Sequence, residues 1–433
     1  MITQLMSSRR FAPLFWAQFF AALNDNVLKN ALVIILLYGA NTGHGDSLVS
    51  IAGAVFIFPF FILSGLGGEL ADKYVKSAVA RRLKFAEIFA AAFAAGGFFL
   101  HSVPLLFAAL ALFGVFAALF GPVKYAMLPD QLSIGELATG NALVEGATFI
   151  AILIGTIAGG QLVAGSSHMG WVSLTVVLLA VLSFGFASQI PDRTPSAPDL
   201  AITANPWTST YHLLKTLYGE PRLWDGMVIV SWFWLVGAVV LSLLPALVKD
   251  IVGGSEGVVT LCLAIFAIGI AAGSLIAARL SHVRPNLTLV PIGAIIMGLL
   301  GLDLAWAIGH TFHGTGISPA EFATSFTGLR LLIDFAVFAI GGGLFVVPSF
   351  AAVQAWSAPT ERARVIASGN ILQAAFMVVG SIFVALLQAG GLAIGWIFFG
   401  LGIASFGAAW FVLGKWRKEG VRLASWNSNR RPA

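Results

Sequence analysis

One cysteine, Cys262, stands in a chain of 433 residues, so disulfides and thiolate metal clusters are excluded. Charge is scarce too: 10% of the residues are Asp, Glu, Lys or Arg, where soluble proteins carry about 25%. With 58% hydrophobic residues and a mean hydropathy of +0.93, the composition is that of a polytopic membrane protein. Catalytic signatures are missing as well. No histidine precedes an aspartate at the spacing of lipid acyltransferases, and there is neither an HExxH pair nor a phosphate-cradling P-loop. The string GDSL, Gly45 to Leu48, falls in a short outer turn without the α/β domain such a hydrolase requires. The expectation is a protein that is no enzyme, binds no cofactor or metal, and does not bind ATP directly.

What fills the chain instead is a series of apolar runs of about 20 residues, the length that crosses roughly 30 Å of hydrocarbon as a helix. Barrel strands would be alternating and half as long. Twelve spans are read at 11–40, 48–70, 83–102, 104–127, 141–165, 169–189, 225–247, 256–279, 286–308, 329–348, 364–388 and 391–414. The first is too long, and too poor in a small-residue cleavage signature, for a removable signal peptide.

A net charge of +5 on a soluble domain would suggest nucleic acid, but here placement matters more than the sum, and no nucleic-acid partner is expected. Arg9, Arg10, the cluster from Lys73 through Arg81, Arg82 and Lys84, then Arg193, Lys215, Arg222, Arg279, Arg284, Arg362, Arg364 and Lys415 to Lys418 all fall on one side of a twelve-span path. The opposite loops offer essentially Lys249. The positive-inside rule then puts both termini in the cytoplasm.

Residues 191–224, opening PDRTPSAPDLAITANPW, read as a proline-rich linker between two six-helix bundles, 1–190 and 225–418, with 419–433 as a cytoplasmic tail. Within the linker Tyr211, Leu214, Lys215 and Tyr218 recur at helical spacing, which predicts a short helix, either at the membrane interface or simply exposed. The halves echo each other weakly in GNALVEG from Gly140 and GNILQAA from Gly369. Six plus six helices with internal echoes is a transporter arrangement.

The first span carries FFAALNDNVLKNAL, Phe19 to Leu32. At 1.5 Å per residue Asp25 lies about 21 Å along the helix, near the bilayer middle. Gln18, Asp25 and Lys29 fall within roughly 40° of one another, and Asn26 and Asn30 extend the stripe to about 140°. Asn24 points elsewhere, toward another helix. A central charge facing lipid costs about 2.5 to 3.5 kcal/mol, so the stripe should face an aqueous cavity, a structural polar clasp being the alternative. Lys124, near the end of the fourth span, can snorkel, pair with Glu145 or meet a substrate; Asn141 and Glu145 can equally hold helices together. Arg330 and Asp334 are four apart, with Asp303 at hand, and read as a structural ion pair or an outer gate.

GELADKYVK, Gly68 to Lys76, is similar to the loop signature of the major facilitator superfamily, departing from it at Val75. Gly68 permits close helix packing, and Lys73 and Lys76 hold the loop at the surface. By that resemblance Asp72 latches against the start of the eleventh span, near Arg364 to Ser368. PTERARVIASGN, Pro359 to Asn370, with Arg362, Arg364 and Asn370, resembles the gating loop that precedes that span. The expected fold is therefore all-α and major facilitator-like.

A more specific likeness runs through RRFAPLFWAQFFAALNDNVLKNAL from Arg9, FGPVKYAMLPDQL from Phe120, SWFWLVGA from Ser231 and EGVVTLCLAIFAIGIAAGSLIAARLS from Glu256. These resemble the bacterial lysophospholipid transporter family, above all the transporter modules fused to an acyltransferase and acyl-carrier-protein synthetase. The resemblance implies a monomeric flippase of the inner membrane. It would deliver lysophosphatidylethanolamine, and lysophosphatidylglycerol, to the cytoplasmic leaflet, acting with a separately encoded acyltransferase. Asp25 would meet the ammonium and Lys29 the phosphate, with Asn26 and Asn30 hydrogen-bonding, in a cavity lined by the first, fourth, seventh and tenth spans. A drug or small-solute exporter, or a non-transporting scaffold for an acyltransferase, are the alternatives.

Overall fold

The computed structural model describes residues 1–38, 45–163, 169–281, 284–310 and 315–418. The expected tail, 419–433, lies outside them. Among the described residues the regular secondary structure is helical, apart from one isolated bridge between Gly254 and Ile317. The helices are α1 (Ile2–Met6), α2 (Ala12–Tyr38), α3 (Gly45–Lys73), α4 (Lys76–Phe99), α5 (Val103–Gln131), α6 (Ile134–Val163), α7 (Met169–Ala187), α8 (Pro206–Tyr218), α9 (Pro221–Ala246), α10 (Glu256–Arg279), α11 (Leu289–Gly309), α12 (Pro319–Thr324), α13 (Phe326–Trp356), α14 (Arg362–Ala389) and α15 (Ile394–Lys418).

Three of these, α1, α8 and α12, are too short to span; the other twelve correspond to the twelve runs read from the sequence. Eleven are apolar enough to cross a membrane. The twelfth, α4, falls short because Lys76, Arg81, Arg82, Lys84 and Glu87 all lie within it. Here the sequence reading needs correction. Lys84 was counted with the positive-side cations at the very start of a span, yet α4 begins seven residues before the expected 83 and buries both Lys76 and Lys84. A helix can carry them inward because each finds a carboxylate, Asp130 for Lys76 and Glu87 for Lys84. GDSL is likewise no loop: it opens α3.

The contacts divide the chain into two compact units. The first comprises Met1–Ser133, Ala147–Gly219 and Gln354–Ala374; the second comprises Ile134–Gly146, Glu220–Val353 and Ala375–Ala433. Helices α6 and α14 are thus each shared between units.

In the first unit α3 and α4 both pack on α5, and α2 and α4 on α7, around Leu28, Leu32, Phe98, Phe113 and Val176. Lipid supplies no hydrophobic drive between helices, so close packing must do it, and small residues permit that. Gly155 and Gly159 of α6 are one turn apart and lie directly on α2. A Cβ on the first would come 2.6 Å from the Asn26 Cβ, and one on the second 2.6 Å from the Val27 carbonyl.

The linker is ordered on this unit. Ser77 donates to Asp192, Lys76 to Ser196, and the Thr203 amide to Glu69 of α3. The Ser77 hydroxyl, with Arg81 assisting, holds the Asp192 carboxyl below its ordinary range. The predicted linker helix is α8, capped by the Asn205 side chain. Ser209, Leu213 and Leu217 face α3, where Ser209 donates to Glu69, while Trp207, Tyr211 and Tyr218 form the exposed face.

In the second unit α11 lies along α15, with Gly301 against Gly402, and Lys415 near the end of α15 pairs with buried Asp225 of α9. A π-helical turn, Leu247–Val252, follows α9 and ends at Gly253, whose φ of 72° favours glycine.

Candidate functional site

The polar stripe of α2 divides its labour among neighbours. Asn24, fully buried, donates to the Val176 carbonyl of α7, the separate role expected for it. Asn26 donates to the Ala22 carbonyl, and Asn30 to the Asn26 carbonyl and the Thr156 hydroxyl of α6. Gln18 is buried and accepts from Thr148 of α6. Gln18 and Asn30 thus bond α6 while Asn26 bonds within α2, and the two charged residues of the stripe, Asp25 and Lys29, are left partly buried.

A second charged pair lies on α4. Lys84 and Glu87 are three apart, and their side chains are each 1% exposed and joined at 2.5 Å. The Lys84 ammonium also sits 4.2 Å from the centre of the Phe120 ring of α5, a cation–π contact in a desolvated setting. Glu87 gives one oxygen to Lys84, while Oε1 is buried without a hydrogen-bond partner.

The charges of Glu87, Lys84, Lys29 and Lys124 all bear on Asp25, so α2, α4 and α5 contribute to its electrostatic surroundings. Lys124 lies two turns inside α5, since that helix runs on to Gln131, and its ammonium is 4.6 Å from the Tyr125 ring centre. Along their helices at 1.5 Å per residue, Asp25, Glu87 and Lys124 sit about 20, 16 and 10 Å from the Ala12, Lys76 and Gln131 ends. An anion bearing a neighbouring cation is the chemistry that such a centre complements.

Sequence reasoning had found Asp25, Lys29 and Lys124 but not Glu87, and it had misplaced Lys84. The signal was there: a Lys-x-x-Glu spacing inside a phenylalanine-rich run puts both groups on one helix face. Lys84 was counted only among the positive-side cations, because cations usually mark a span's end.

A separate network joins α3, α4, α5 and α14 within the first unit. Asp72, wholly buried, accepts from the Ala363 amide at 3.1 Å, the Arg364 amide at 3.3 Å and Arg364 Nε at 3.1 Å. It thereby caps a helix whose first amides have no partner of their own. Gly68 makes the approach possible, since a Cβ there would lie 2.7 Å from the Ala367 Cβ. Arg362 and Lys76 both hold Asp130, at 3.4 and 2.9 Å. Asn370 presses on Gly121 of α5, and Lys73 sits over the Tyr74 ring.

The remaining candidates lie in the second unit. Asn141 is buried and donates to the Leu137 carbonyl, and Glu145, one turn on, is 2% exposed. Arg330 bonds Asp303 at 2.5 Å more closely than Asp334 at 4.0 Å, and it stacks on Trp306. Among the described residues no group of three or more His, Cys, Asp or Glu is arranged to hold a metal ion.

Comparison with known proteins matches residues 14–317 to the model of the Major Facilitator Superfamily. The chain is 27% identical over 356 residues to the lysophospholipid transporter LplT of Yersinia enterocolitica, covering 80% of this chain and 79% of that protein. To the protein of the same name in Serratia proteamaculans it is 27% identical over 358 residues, covering 80% of each. Among solved structures, the human organic anion transporter MFSD10 superposes with a TM-score of 0.72 at 18% identity, over 93% of this chain and 99% of that one. A bacterial homologue of the iron transporter ferroportin gives 0.69 at 15%, over 95% and 99%. These likenesses speak for the fold.

Proposed function

Because this chain belongs to the Major Facilitator Superfamily, we propose that it is a lysophospholipid transporter that exposes the Asp25–Lys29 centre alternately to the two leaflets of a bacterial inner membrane. The cargo is lysophosphatidylethanolamine, with lysophosphatidylglycerol also accepted, and delivery is to the cytoplasmic leaflet, where a separate acyltransferase reacylates it. Both termini are cytoplasmic, and the working unit is the monomer. The names of the curated relatives support this reading.

The observation that carries it is the charged centre itself. Polar groups at membrane depth are expensive, and Asp25 and Lys29 lie on a spanning helix under the charges of side chains from α4 and α5. Its ammonium and carboxylate groups together suit a headgroup that carries a phosphodiester anion beside a cation. Lys29 and Lys124 are the groups for the phosphate and Asp25 for the ethanolamine ammonium, while Gln18 and Asn30 hold α2 against α6 so that the charges keep their places. Asp72, Arg364, Lys76, Asp130 and Arg362 form the latch that closes the cytoplasmic ends.

The test is purified protein in liposomes with labelled lysophosphatidylethanolamine, read by back-extraction. Protein-dependent movement is expected, falling at least tenfold in Asp25→Asn and Lys29→Met with folded yield intact. Unlabelled lysophospholipid should compete and hydrophobic cations should not. Movement by the wild type no faster than by Asp25→Asn would defeat the reading.

A further inference from the structure

Helix α8 carries more aromatic surface than its contact with α3 covers. Counted from Trp207 at about 100° per residue, its side chains fall into three arcs. Ser209, Leu213, Leu217 and Thr210 hold the arc from about 200° to 300°. This is the side against α3: Ser209 donates to Glu69, Thr210 donates to the Phe61 carbonyl, and Leu213 meets Gly65. Leu214, Trp207, Tyr218 and Tyr211 hold the next arc, from about 340° to 40°. Trp207 is 59% exposed there and Tyr211 62%, so half of the apolar surface of α8 lies outside its seat on α3. Lys215, Thr208, His212 and Thr216 fill the remaining arc, from about 80° to 180°, which is polar throughout.

The order of contacts along α3 gives these arcs a direction. Glu69, which meets the Ser209 edge of α8, is about one turn from the Lys73 end of α3, and Phe61, which meets the Thr210 edge, is about three turns from it. Passing around α8 from the polar arc through Ser209 to Thr210 and on to the aromatic arc therefore runs from the end of α3 toward its middle. Helix α3 has 29 residues and is about 43 Å long, so when centred on roughly 30 Å of hydrocarbon it overhangs by about 6 or 7 Å at each end. Gly65, where α8 crosses, is about 12 Å from the Lys73 end and thus just inside the hydrocarbon boundary. The aromatic arc lies on the deeper side of that crossing and the polar arc on the shallower side. Trp and Tyr are the side chains suited to this depth, having an apolar ring and a polar tip.

We infer that α8 lies in the headgroup layer of the leaflet on the linker's side of the membrane, with Trp207 and Tyr211 set into the lipid and Lys215, His212 and Thr216 left in water. The occupant of the aromatic face is phospholipid. Its ester and phosphate oxygens accept from the indole N–H and the phenol O–H, while the rings lie against the upper acyl chains. A soluble protein approaching from the water would meet the polar arc. The anchor acts on the first unit as a body, because the linker is fastened to α3 through Glu69 and to α4 through Ser77 and Lys76. This inference stands on the membrane-spanning fold and is independent of the cargo.

The test uses the full chain in nanodiscs of phosphatidylethanolamine and phosphatidylglycerol, with Cys262→Ala removing the single native thiol. Spin labels are placed one at a time through Trp207→Cys, Tyr211→Cys, His212→Cys and Thr216→Cys, and each is read for collision with oxygen and with a water-soluble nickel chelate. The ratio of oxygen to nickel accessibility should be about tenfold higher at 207 and 211 than at 212 and 216, the contrast between a face some 5 to 10 Å into the interface and one in water. Equal ratios at the four sites, as for an aromatic face standing in water, would overturn the inference. A second measurement keeps the native cysteine and decides the matter where the labelled variants do not fold. The tryptophan emission that Trp207→Phe removes from the wild-type spectrum should be quenched by lipids brominated high on the acyl chain and spared by iodide. Quenching of that component by iodide and not by the brominated lipids would overturn the inference, whatever lipid or solute the protein moves.

Discussion

Replacing Asp72 by asparagine keeps the size of the side chain and removes its charge, which isolates what that carboxylate does for α14. The native group accepts three hydrogen bonds, from the Ala363 amide, the Arg364 amide and Arg364 Nε, all at 3.1 to 3.3 Å and away from water. A carboxamide has one acceptor oxygen, so one backbone bond survives while its NH2 group is turned against the remaining donors. Bonds to a charged group contribute about 1.5 to 3 kcal/mol each, and losing two at the lower figure destabilises by about 3 kcal/mol. The first unit contains about 230 residues. For a unit of that size each kcal/mol lowers the melting midpoint by about 2 to 4 °C, so the midpoint of Asp72→Asn should fall by roughly 6 to 12 °C. Arg364→Ala removes only one of the three bonds and should cost about half as much. Circular dichroism melting in one detergent, with its concentration fixed, measures both. An Asp72→Asn midpoint within 1 °C of the wild type, or an Arg364→Ala loss as large as that of Asp72→Asn, would refute the capping argument.

Two further expectations follow from close packing and from the linker. Gly155→Ala should abolish monodisperse yield, because the new Cβ meets the Asn26 Cβ at 2.6 Å and the Leu23 carbonyl at 2.9 Å, and only a shift of α2 relieves it. Gly121→Ala, whose clash is with the Asn370 amide tip, should cost about 1 kcal/mol or less and purify normally. Asp192 has a folded pKa below its unfolded value, so the stability it adds is present above about pH 4 and is lost as pH falls further through the folded value. Protease nicking of the linker at 191–205 should therefore accelerate below pH 4 in the wild type, and Asp192→Asn should show the faster rate already at neutral pH.

The contact of Asp72 with the start of α14 was legible because its parts are local. Gly68 and Asp72 lie one turn apart at the end of an apolar run, and the family signature names the partner helix. The α2 stripe was legible as an interruption of a hydrophobic helix, and its angular order held: Asn24 does face a different neighbour from Asn26 and Asn30. Which of these polar residues hold helices together could not be read from one helix. An asparagine facing Thr156 and an aspartate facing Glu87 and Lys84 have the same appearance in sequence. Lys84 shows the limit most clearly, since a cation at position 84 means a membrane surface unless a carboxylate is folded against it.

From the order of its residues alone this protein is committed to twelve membrane-length helices, an acid and a lysine buried on the first of them, and a capping aspartate after the second. Apolar run length, helical angle and loop signature are properties of contiguous chain, so they need no partner to be visible. Tertiary structure decided which charges bear on Asp25, because Lys84, Glu87 and Lys124 come from α4 and α5, far from α2 along the chain.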